Sequence, residues 1–312
     1  MRNFISEDDI EQAILQKLEG DPFQYGILRC DPSPDKRELL PDGTGRSSKK
    51  ECVLPLILRE ALARLNPDIP GEKLEEIARD LCRDFSATDM TATNYKYYNQ
   101  IRNGIKISLR RNGKEDFDFV KLVDFDRPEN NTFTAVSQMW IQGRVYWRRP
   151  DVLIFINGLP MVFVELKNSI VKVEEAYNDN LKNYLRDIPN LFAFNQICVL
   201  SNGLETRLGA FNATYNHFFE WLKVDSEKER PDRQALKEAG TVGESSVRYF
   251  IDGLLQKGRL IDYIENFIMF RNQKNKIIAK NHQYFGVNNL MESVKNRAEL
   301  QGKLGVFWHT QG

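Results

Sequence analysis

The sequence predicts an α/β protein, and three observations indicate this class. An amphipathic helical pattern opens the chain, and short β-rich runs begin after Lys121. Between residues 152 and 200, two strands, a helix and a third strand follow one another, an order typical of an α/β core. Because 312 residues exceed the size at which one core usually stops growing, we expect one substantial domain plus part of a second.

The first element is predicted to be a helix. Ser6 and the acidic residues after it form a cap-like start, and Ile10, Ile14 and Leu18 follow at helical spacing up to Gly20. Residues 31–48 are rich in Pro, Gly and Ser, which indicates a loop. Helical patterns follow around residues 52–65 and 71–82. We therefore interpret the region from about residue 30 to about residue 115 as a helical insertion.

The following region has the composition of a sheet. Strands are predicted at residues 121–125, 132–140, 152–156, 161–167 and 197–200. Asn157-Gly158 between two of them is a strong hairpin signal. A helix is predicted at residues 172–186, with Tyr177, Leu181, Tyr184 and Leu185 on one face.

A polar stretch after the sheet indicates a domain boundary. We divide the chain into a domain at residues 1–225, a linker at 226–246 and the start of another domain at 247–312. The last part is predicted to contain an apolar helix at 247–270 and a strand at 305–308.

Composition excludes several classes of protein. Apolar residues make up 41% of the chain and charged residues 28%, which is too apolar for a disordered protein. No apolar run reaches bilayer length and the amino terminus lacks a signal sequence, so we expect a cytoplasmic protein with no membrane partner. The four cysteines form no Cys-x-x-Cys pair, and no histidine has ligand spacing. With 44 basic and 44 acidic residues, nucleic acid would have to bind to a local patch.

Two carboxylates and an ammonium group are predicted to meet at one end of the hairpin. Antiparallel pairing places Asp151 opposite a residue between Val164 and Leu166, close to Glu165. Side chains alternate along a strand, so Glu165 and Lys167 share a face. Such a group suits a hard divalent cation, magnesium above all, which would also bind the backbone carbonyl of Leu166. The alternative is a solvated salt bridge at a strand end, which spacing alone favours.

The residues around this group resemble a known motif. The segments that carry the resemblance are Arg149-Pro150-Asp151, Asn157-Gly158-Leu159-Pro160 and Glu165-Leu166-Lys167-Asn168. They resemble the PD-(D/E)xK nuclease motif as it occurs in the restriction (R) subunit of type I restriction-modification enzymes. The resemblance extends to Leu65-Asn66-Pro67, Asp124-Phe125-Asp126, Ser201-Asn202-Gly203 and His282-Gln283-Tyr284-Phe285. It implies a PD-(D/E)xK (restriction-endonuclease-like) core with a helical insertion, followed by the start of a RecA-like helicase motor.

The resemblance also implies roles for individual residues. Asp151 and Glu165 would be metal ligands, Lys167 the catalytic lysine, and Glu11 an accessory acidic residue, with Glu7 a weaker contender. The family's Gln-x-x-x-Tyr motif would correspond to Asn180 and Tyr184, although asparagine replaces glutamine and a core-facing tyrosine with an exposed asparagine is an equal alternative. Arg144, Arg148 and Arg149 could bind DNA phosphates, or they could be solvated.

The end of the chain resembles the beginning of the same family's motor. The segment from Trp308 to Gly312 is similar to the strand and opening loop of its phosphate-binding motif, which would assign Thr310 and Gly312 to nucleotide binding. Gln283 would read the adenine of ATP, or it is an ordinary polar residue at a helix start. The motif's lysine does not fall within the 312 residues, so we expect no ATP hydrolysis by this chain alone.

The implied function is metal-dependent hydrolysis of double-stranded DNA. Its implied cofactors are Mg²⁺ at the nuclease site and ATP in a full-length motor that translocates DNA. Its implied partners are DNA and the methyltransferase and specificity subunits of a type I restriction-modification complex. Two alternatives stay open: a repair or recombination nuclease with the same motif, and a docking module that no longer binds metal.

Overall fold

A computed structural model of the chain describes residues 4–83, 89–111, 114–226 and 228–305. The helices are α1 (Glu7–Glu19), α2 (Pro55–Leu65), α3 (Gly71–Cys82), α4 (Met90–Asn103), α5 (Val173–Glu175), α6 (Lys182–Asp187), α7 (Arg233–Lys237), α8 (Ser246–Leu254), α9 (Lys257–Asn266) and α10 (Asn281–Lys295). A π-helical turn, Ala176–Leu181, joins α5 to α6. The predicted α/β class is therefore confirmed.

A mixed seven-stranded sheet forms the centre of the molecule. Its strands are β1 (Gly26–Arg29), β4 (Phe133–Ser137), β7 (Val152–Ile156), β8 (Leu159–Leu166), β9 (Ile197–Ser201), β10 (Thr206–Gly209) and β11 (Phe219–Glu220), in that spatial order. The pairs β1–β4 and β8–β9 are parallel, and the others are antiparallel. Within the described ranges, three two-stranded sheets accompany it: β2 (Ile105–Arg111) with β3 (Lys114–Val120), β5 (Ile141–Gln142) with β6 (Trp147–Arg148), and β12 (Ile268–Arg271) with β13 (Asn275–Ile278).

The sheet separates two buried clusters because its strands alternate. On β7, Val152, Ile154 and Ile156 belong to the larger cluster, whereas Leu153 and Phe155 belong to the smaller. Helices α1 to α4, α8 and α9 contribute to the larger cluster, and the helix from α5 to α6 contributes to the smaller. The central strands are buried on both faces, which explains why they read as continuous apolar runs.

The hairpin between β7 and β8 turns as predicted. Asn157 and Gly158 have φ of 51° and 81°, the positive pair that a type I′ turn requires. A Cβ at Gly158 would lie 2.6 Å from the Leu54 carbonyl oxygen, so only glycine lets the start of α2 dock against the turn. The Asn157 side chain is fully buried and donates to the carbonyl of Leu122 at 2.9 Å. The turn therefore also attaches the insertion to the sheet.

The predicted strand at residues 121–125 is wrong. Leu122 is buried, but the backbone there is bonded to asparagine side chains instead of a neighbouring strand. Asn66 accepts from the amide of Lys121 at 2.7 Å, and Asn131 accepts from the amide of Asp124 at 2.9 Å. The apolar pattern predicts the burial of this segment correctly. The segment, as the structure describes it, does not pair with a neighbouring strand, and a strand needs such a partner.

Other predicted boundaries also need correction. The single helix at 247–270 is two helices, α8 and α9, because Gln256 has an extended backbone (φ −59°, ψ 130°), and β12 follows them. The insertion is not only helical, since β2 and β3 form a hairpin within or beside it. The strand predicted at 132–140 ends at Ser137 because Gln138 has φ 56°. The strand predicted at 305–308 lies, apart from Gly305, outside the described residues.

The carboxyl-terminal elements pack against the central sheet. Residues of α8, α9 and α10 share the larger cluster with α1 and β8. Within the predicted linker, Leu236 and Ala239 are buried, and α7 forms there. The division of the chain at residues 226–246 stays a prediction. No helix among the described residues has the length and apolar character needed to cross a bilayer.

A candidate acidic site at the end of the central hairpin

The strand register brings Asp151 and Glu165 together. Val152 pairs with Val164, and continuing this antiparallel register by one residue sets Asp151 opposite Glu165. The Asp151 Oδ2 atom accepts a hydrogen bond from the Leu166 amide at 2.7 Å. This backbone contact fixes the first carboxylate across the open end of the hairpin.

Glu165 and Lys167 lie on the same face of β8, as predicted. The Lys167 Nζ atom is 3.8 Å from Glu165 Oε1, and the two side chains are 18% and 2% exposed. Asn180 donates to the same Glu165 Oε1 atom. The second oxygen, Oε2, is buried and has no hydrogen-bond partner among the described residues. A buried carboxylate oxygen without a donor is costly, which makes it a feature that calls for a ligand.

Glu11 joins this group from the first helix. The chain before α1 is tied to the loop after β8, because the Ile5 amide donates to Ser169 Oγ at 2.9 Å and the Ser169 amide donates to the Ile5 carbonyl at 3.0 Å. Glu11 is 6% exposed and accepts a hydrogen bond from the side-chain amide of Gln138, which also contacts Asp151. Glu7, the weaker contender, is exposed in the first turn of the helix.

All three carboxyl groups hold their protons more tightly than usual. Burial raises the pKa of Asp151 to about 6, against the hydrogen bond from Leu166. Burial, and then the charge of Asp151, raises the pKa of Glu165 well above its ordinary value. Burial also raises the pKa of Glu11 to about 6, with the charge of Asp151 adding to the rise. An added cation would favour the ionised form of each group.

The helix after the sheet contributes Asn180 and Tyr184. Asn180 lies in the π-helical turn, a local widening that is frequent at functional sites, and its short side chain reaches Glu165. The exposed-asparagine alternative is therefore wrong. Tyr184 is buried against Phe163 and donates its hydroxyl hydrogen bond to the Arg149 carbonyl at 3.0 Å. It thus packs in the core and also supports the chain leading into Asp151.

Two of the three predicted phosphate-binding arginines have partners within the protein. Arg148 Nε donates to Asp187 at 2.8 Å, and Arg149 donates to the Pro32 carbonyl and lies 5.1 Å from the centre of the Trp140 ring. Arg144 is exposed at the β5–β6 turn. The arginines flank the acidic group in sequence, and their DNA contacts stay a prediction.

Of the residues predicted to bind nucleotide, Gln283 falls within the part of the chain that the structure describes. Gln283 lies at the third position of α10, where its Oε1 atom accepts from the Lys280 amide at 2.8 Å. It therefore serves as an ordinary helix-start residue in this structure, and its contact with adenine stays a prediction. Thr310 and Gly312 lie outside the described residues.

Gln138 belongs to the site but was not predicted from the sequence. Gln138 follows β4 and contacts both Glu11 and Asp151. A polar residue at the end of a buried strand, next to the strand that begins at Asp151, was the available signal. The parallel or antiparallel neighbour of β4 could not be deduced from sequence, so the signal could not be used.

The donor set is compatible with a divalent cation. Within the described ranges, no group of three or more His, Cys, Asp or Glu side chains is arranged to hold a metal ion. Two carboxylates, one with an unpartnered oxygen, nevertheless supply the oxygen atoms that Mg²⁺ prefers, and Mg²⁺ commonly keeps several waters beside one or two carboxylates. Fold and site therefore define a mixed α/β protein with a buried acidic cluster beside a lysine.

Comparison with known proteins identifies the family. The chain belongs to the family described as type I restriction enzyme R protein N terminus, whose model matches residues 4–217. It is 32% identical over 318 residues to the type I restriction enzyme HindI endonuclease subunit of Haemophilus influenzae, covering 99% of this chain and 29% of that protein. It is 29% identical over 329 residues to the MjaIXP protein of Methanocaldococcus jannaschii, covering 97% of this chain and 30% of that protein. The chain thus spans less than a third of the length of these relatives.

Proposed function

We propose that this chain is the DNA-cleaving part of the R subunit of a type I restriction enzyme, with a PD-(D/E)xK nuclease core. The reaction would be hydrolysis of phosphodiester bonds in double-stranded DNA. Family membership supports the restriction system, and the relatives' names include an endonuclease subunit. The observation that carries the nuclease assignment is the buried, unpartnered Oε2 of Glu165 beside Asp151 and Lys167.

Asp151 and Glu165 would hold Mg²⁺, with the Leu166 carbonyl as a third oxygen ligand. When bound, Mg²⁺ supplies a polarised phosphate and a water whose pKa is lowered towards neutrality. The Leu166 amide fixes Asp151, and Asn180 fixes one oxygen of Glu165, which leaves the other oxygen available. Pre-orientation of ligands by hydrogen bonds of this kind is the usual way in which a protein tunes a metal site.

Lys167 would act on the substrate. Its ammonium group lies 3.8 Å from Glu165 and keeps some exposure, so it can reach a phosphate that enters the site. There it would orient the attacking water and offset negative charge that develops on phosphorus. Glu11 would help to hold the cation or its water, and Tyr184 would keep the chain at Arg149 in place.

The partners and the second cofactor belong to the larger protein. In the resembled family, a specificity subunit reads the DNA sequence and a methyltransferase subunit modifies it. An ATP-driven motor would include Gln283, Thr310 and Gly312. Arg144, Arg148 and Arg149 would bind DNA phosphates without regard to sequence. A repair nuclease with the same motif is less well supported, since both named relatives with extensive coverage carry restriction-enzyme names.

Cleavage by the assembled enzyme tests the proposal. Asp151→Asn, Glu165→Gln and Lys167→Met should each lower the DNA cleavage rate by at least about 100-fold, since even outer-shell partners of a metal cost 10–100-fold. Asp35→Asn is the matched control, because Asp35 is exposed in the loop of residues 31–48. Cleavage at the normal rate by Asp151→Asn would refute the assignment, and a docking module would show no Mg²⁺-dependent cleavage at all.

A further inference from the structure

Gln138 occupies a strained position between two acidic side chains. Its φ of 56° lies in the left-handed region, which residues with a Cβ rarely adopt. The backbone N–H of Gln138 donates a hydrogen bond to the backbone carbonyl of Asp151 at 3.0 Å. The backbone strain is therefore maintained at the point where β4 ends beside Asp151, and such outliers often occur at functional sites.

The side chain of Gln138 bridges the two carboxylates. Its Nε2 donates to Glu11 Oε2 and lies 3.4 Å from Asp151 Oδ1. Only the nitrogen end of the amide can face two carboxylates, because the oxygen end carries no hydrogen and would be repelled. The orientation of the amide is therefore set by its surroundings, with the oxygen directed away from these partners.

The side-chain amide oxygen of Gln138 accepts no hydrogen bond from the residues that the structure describes. Oε1 is buried and has no hydrogen-bond partner among the described residues. It shares this property with Glu165 Oε2, so two unpartnered acceptors belong to one site. A purely structural role explains the bridge, but it leaves a buried acceptor unsatisfied, which costs stability. A donor that arrives with a ligand would satisfy it.

We propose that Gln138 is a positioning residue of the cation site, holding Glu11 and Asp151 side by side through Nε2 and accepting through Oε1 from a water that the cation brings. This inference rests on the proposed function. Mg²⁺ and Mn²⁺ bind with part of their hydration shell retained, and such waters donate hydrogen bonds to neighbouring acceptors. Gln138 would thus set the geometry of two carboxylates without binding the metal directly.

Substitution of Gln138 by glycine distinguishes the effect of the side-chain amide from the effect of the backbone strain. Gln138→Gly removes the bridge but relieves the positive φ, so the free energy of unfolding should not fall. Gln24→Gly is the matched control: Gln24 also has a positive φ, 49°, and its Nε2 donates to a carboxylate, Asp21, at 2.5 Å. Calorimetric titration of both variants and the wild type with Mn²⁺ measures the affinity, and urea unfolding measures the stability.

The expected result is Mn²⁺ binding about 10–100-fold weaker in Gln138→Gly, with wild-type affinity in Gln24→Gly. A Gln138→Gly affinity equal to the wild type's would overturn the inference while leaving the proposed function intact. Absence of saturable Mn²⁺ binding by the wild type would instead refute the proposed function, and the inference with it. If Gln138→Gly does not fold, Gln138→Asn replaces it. Asparagine tolerates a positive φ, and its amide is too short to span both carboxylates, so undiminished affinity in that variant would equally overturn the inference.

Discussion

Two buried clusters of charged side chains in this molecule differ in how their carboxylates are balanced. In the first, Asp42 Oδ2 lies 2.7 Å from both Arg46 Nη2 and Lys49 Nζ, and Oδ1 accepts from the Thr44 amide at 3.1 Å. In the second, Asp151, Glu165 and Glu11 face a single lysine, and one glutamate oxygen has no partner among the described residues. The carboxylate of the first cluster is fully paired within the protein, whereas the carboxylates of the second would be balanced by the cation that we propose.

The pKa directions follow the same difference. Burial alone would raise the pKa of Asp42, but hydrogen bonds from Lys49 and Thr44 and the charge of Arg46 reverse this and lower it far below its ordinary range. Burial raises the pKa of Asp151 to about 6 because too few positive charges oppose it. Burial by itself therefore does not single out a candidate functional carboxylate, whereas burial without enough compensating positive charge does.

The largest expected effect on stability is at the balanced cluster. Asp42→Ala should lower the free energy of unfolding by about 3–5 kcal/mol, because it leaves the buried charges of Arg46 and Lys49 unpaired. Urea unfolding at pH 7 measures this. Asp35→Ala, an exposed residue of the same loop, should change stability by less than about 0.5 kcal/mol. Equal stability of the two variants would remove the distinction between balanced and unbalanced clusters.

A smaller effect of opposite sign is expected at the acidic site. The folded-state pKa of Asp151, about 6, lies above its ordinary value of 3.8, so the folded protein binds the extra proton. The resulting stabilisation is fully present below pH 3.8 and is lost as the pH rises through about 6. Asn cannot ionise, so the metal-free Asp151→Asn protein does not lose this stability as the pH rises. Its free energy of unfolding at pH 8 should therefore exceed that of the wild type by about 1–3 kcal/mol.

Urea unfolding in a chelating buffer between pH 5 and pH 8 checks this prediction. The wild type should lose stability over that range more steeply than Asp151→Asn. Added Mg²⁺ should restore stability to the wild type at pH 8, since a ligand that binds only the folded state stabilises it. A destabilised Asp151→Asn at pH 8 without metal would mean that this carboxylate is a structural one.

The smallest effect concerns the arginines. Arg144 is exposed, whereas Arg46 is completely buried in the Asp42 cluster. Arg144→Ala should weaken binding of DNA of any sequence by a few-fold and reduce the salt dependence of log affinity by about 1, as expected for one phosphate contact. Binding isotherms at several salt concentrations measure this, with Arg83→Ala, a change at an exposed arginine that follows α3, as the control. A change in sequence preference would instead indicate a base contact.

Local chemistry explains what the sequence could predict. The Asn157-Gly158 turn needs positive φ at two consecutive residues, which these residue types accept, so the hairpin follows from the chain itself. The register set by the turn alone would place Asp151 opposite Val164, and a register shift between Ile154 and Phe155, which was not predicted, places it opposite Glu165. The first helix was predictable for a similar reason, because Ser6 caps it and its acidic first turn fits the helix dipole.

What could not be predicted depends on contacts distant in sequence. The backbone at residues 121–125 is held by Asn66 and Asn131, which no local pattern reveals. Gln138 belongs to the site because it contacts Glu11, 127 residues away, and because the register of β4 beside β7 places it next to Asp151. The π-helical turn that carries Asn180 has no local sequence signal either. The roles of Asp151, Glu165 and Lys167 came from the resemblance, and they remain predictions.

The central claim is that Asp151 and Glu165 form a divalent-cation site, and the location of Mn²⁺ in crystals of this protein tests it most directly. An anomalous difference map recorded near the manganese absorption edge should show its strongest peak in contact with both carboxylates, with Glu165 Oε2 among the ligands. The balanced Asp42 cluster should show none. A map without a peak between Asp151 and Glu165, from crystals saturated with Mn²⁺, would contradict the account.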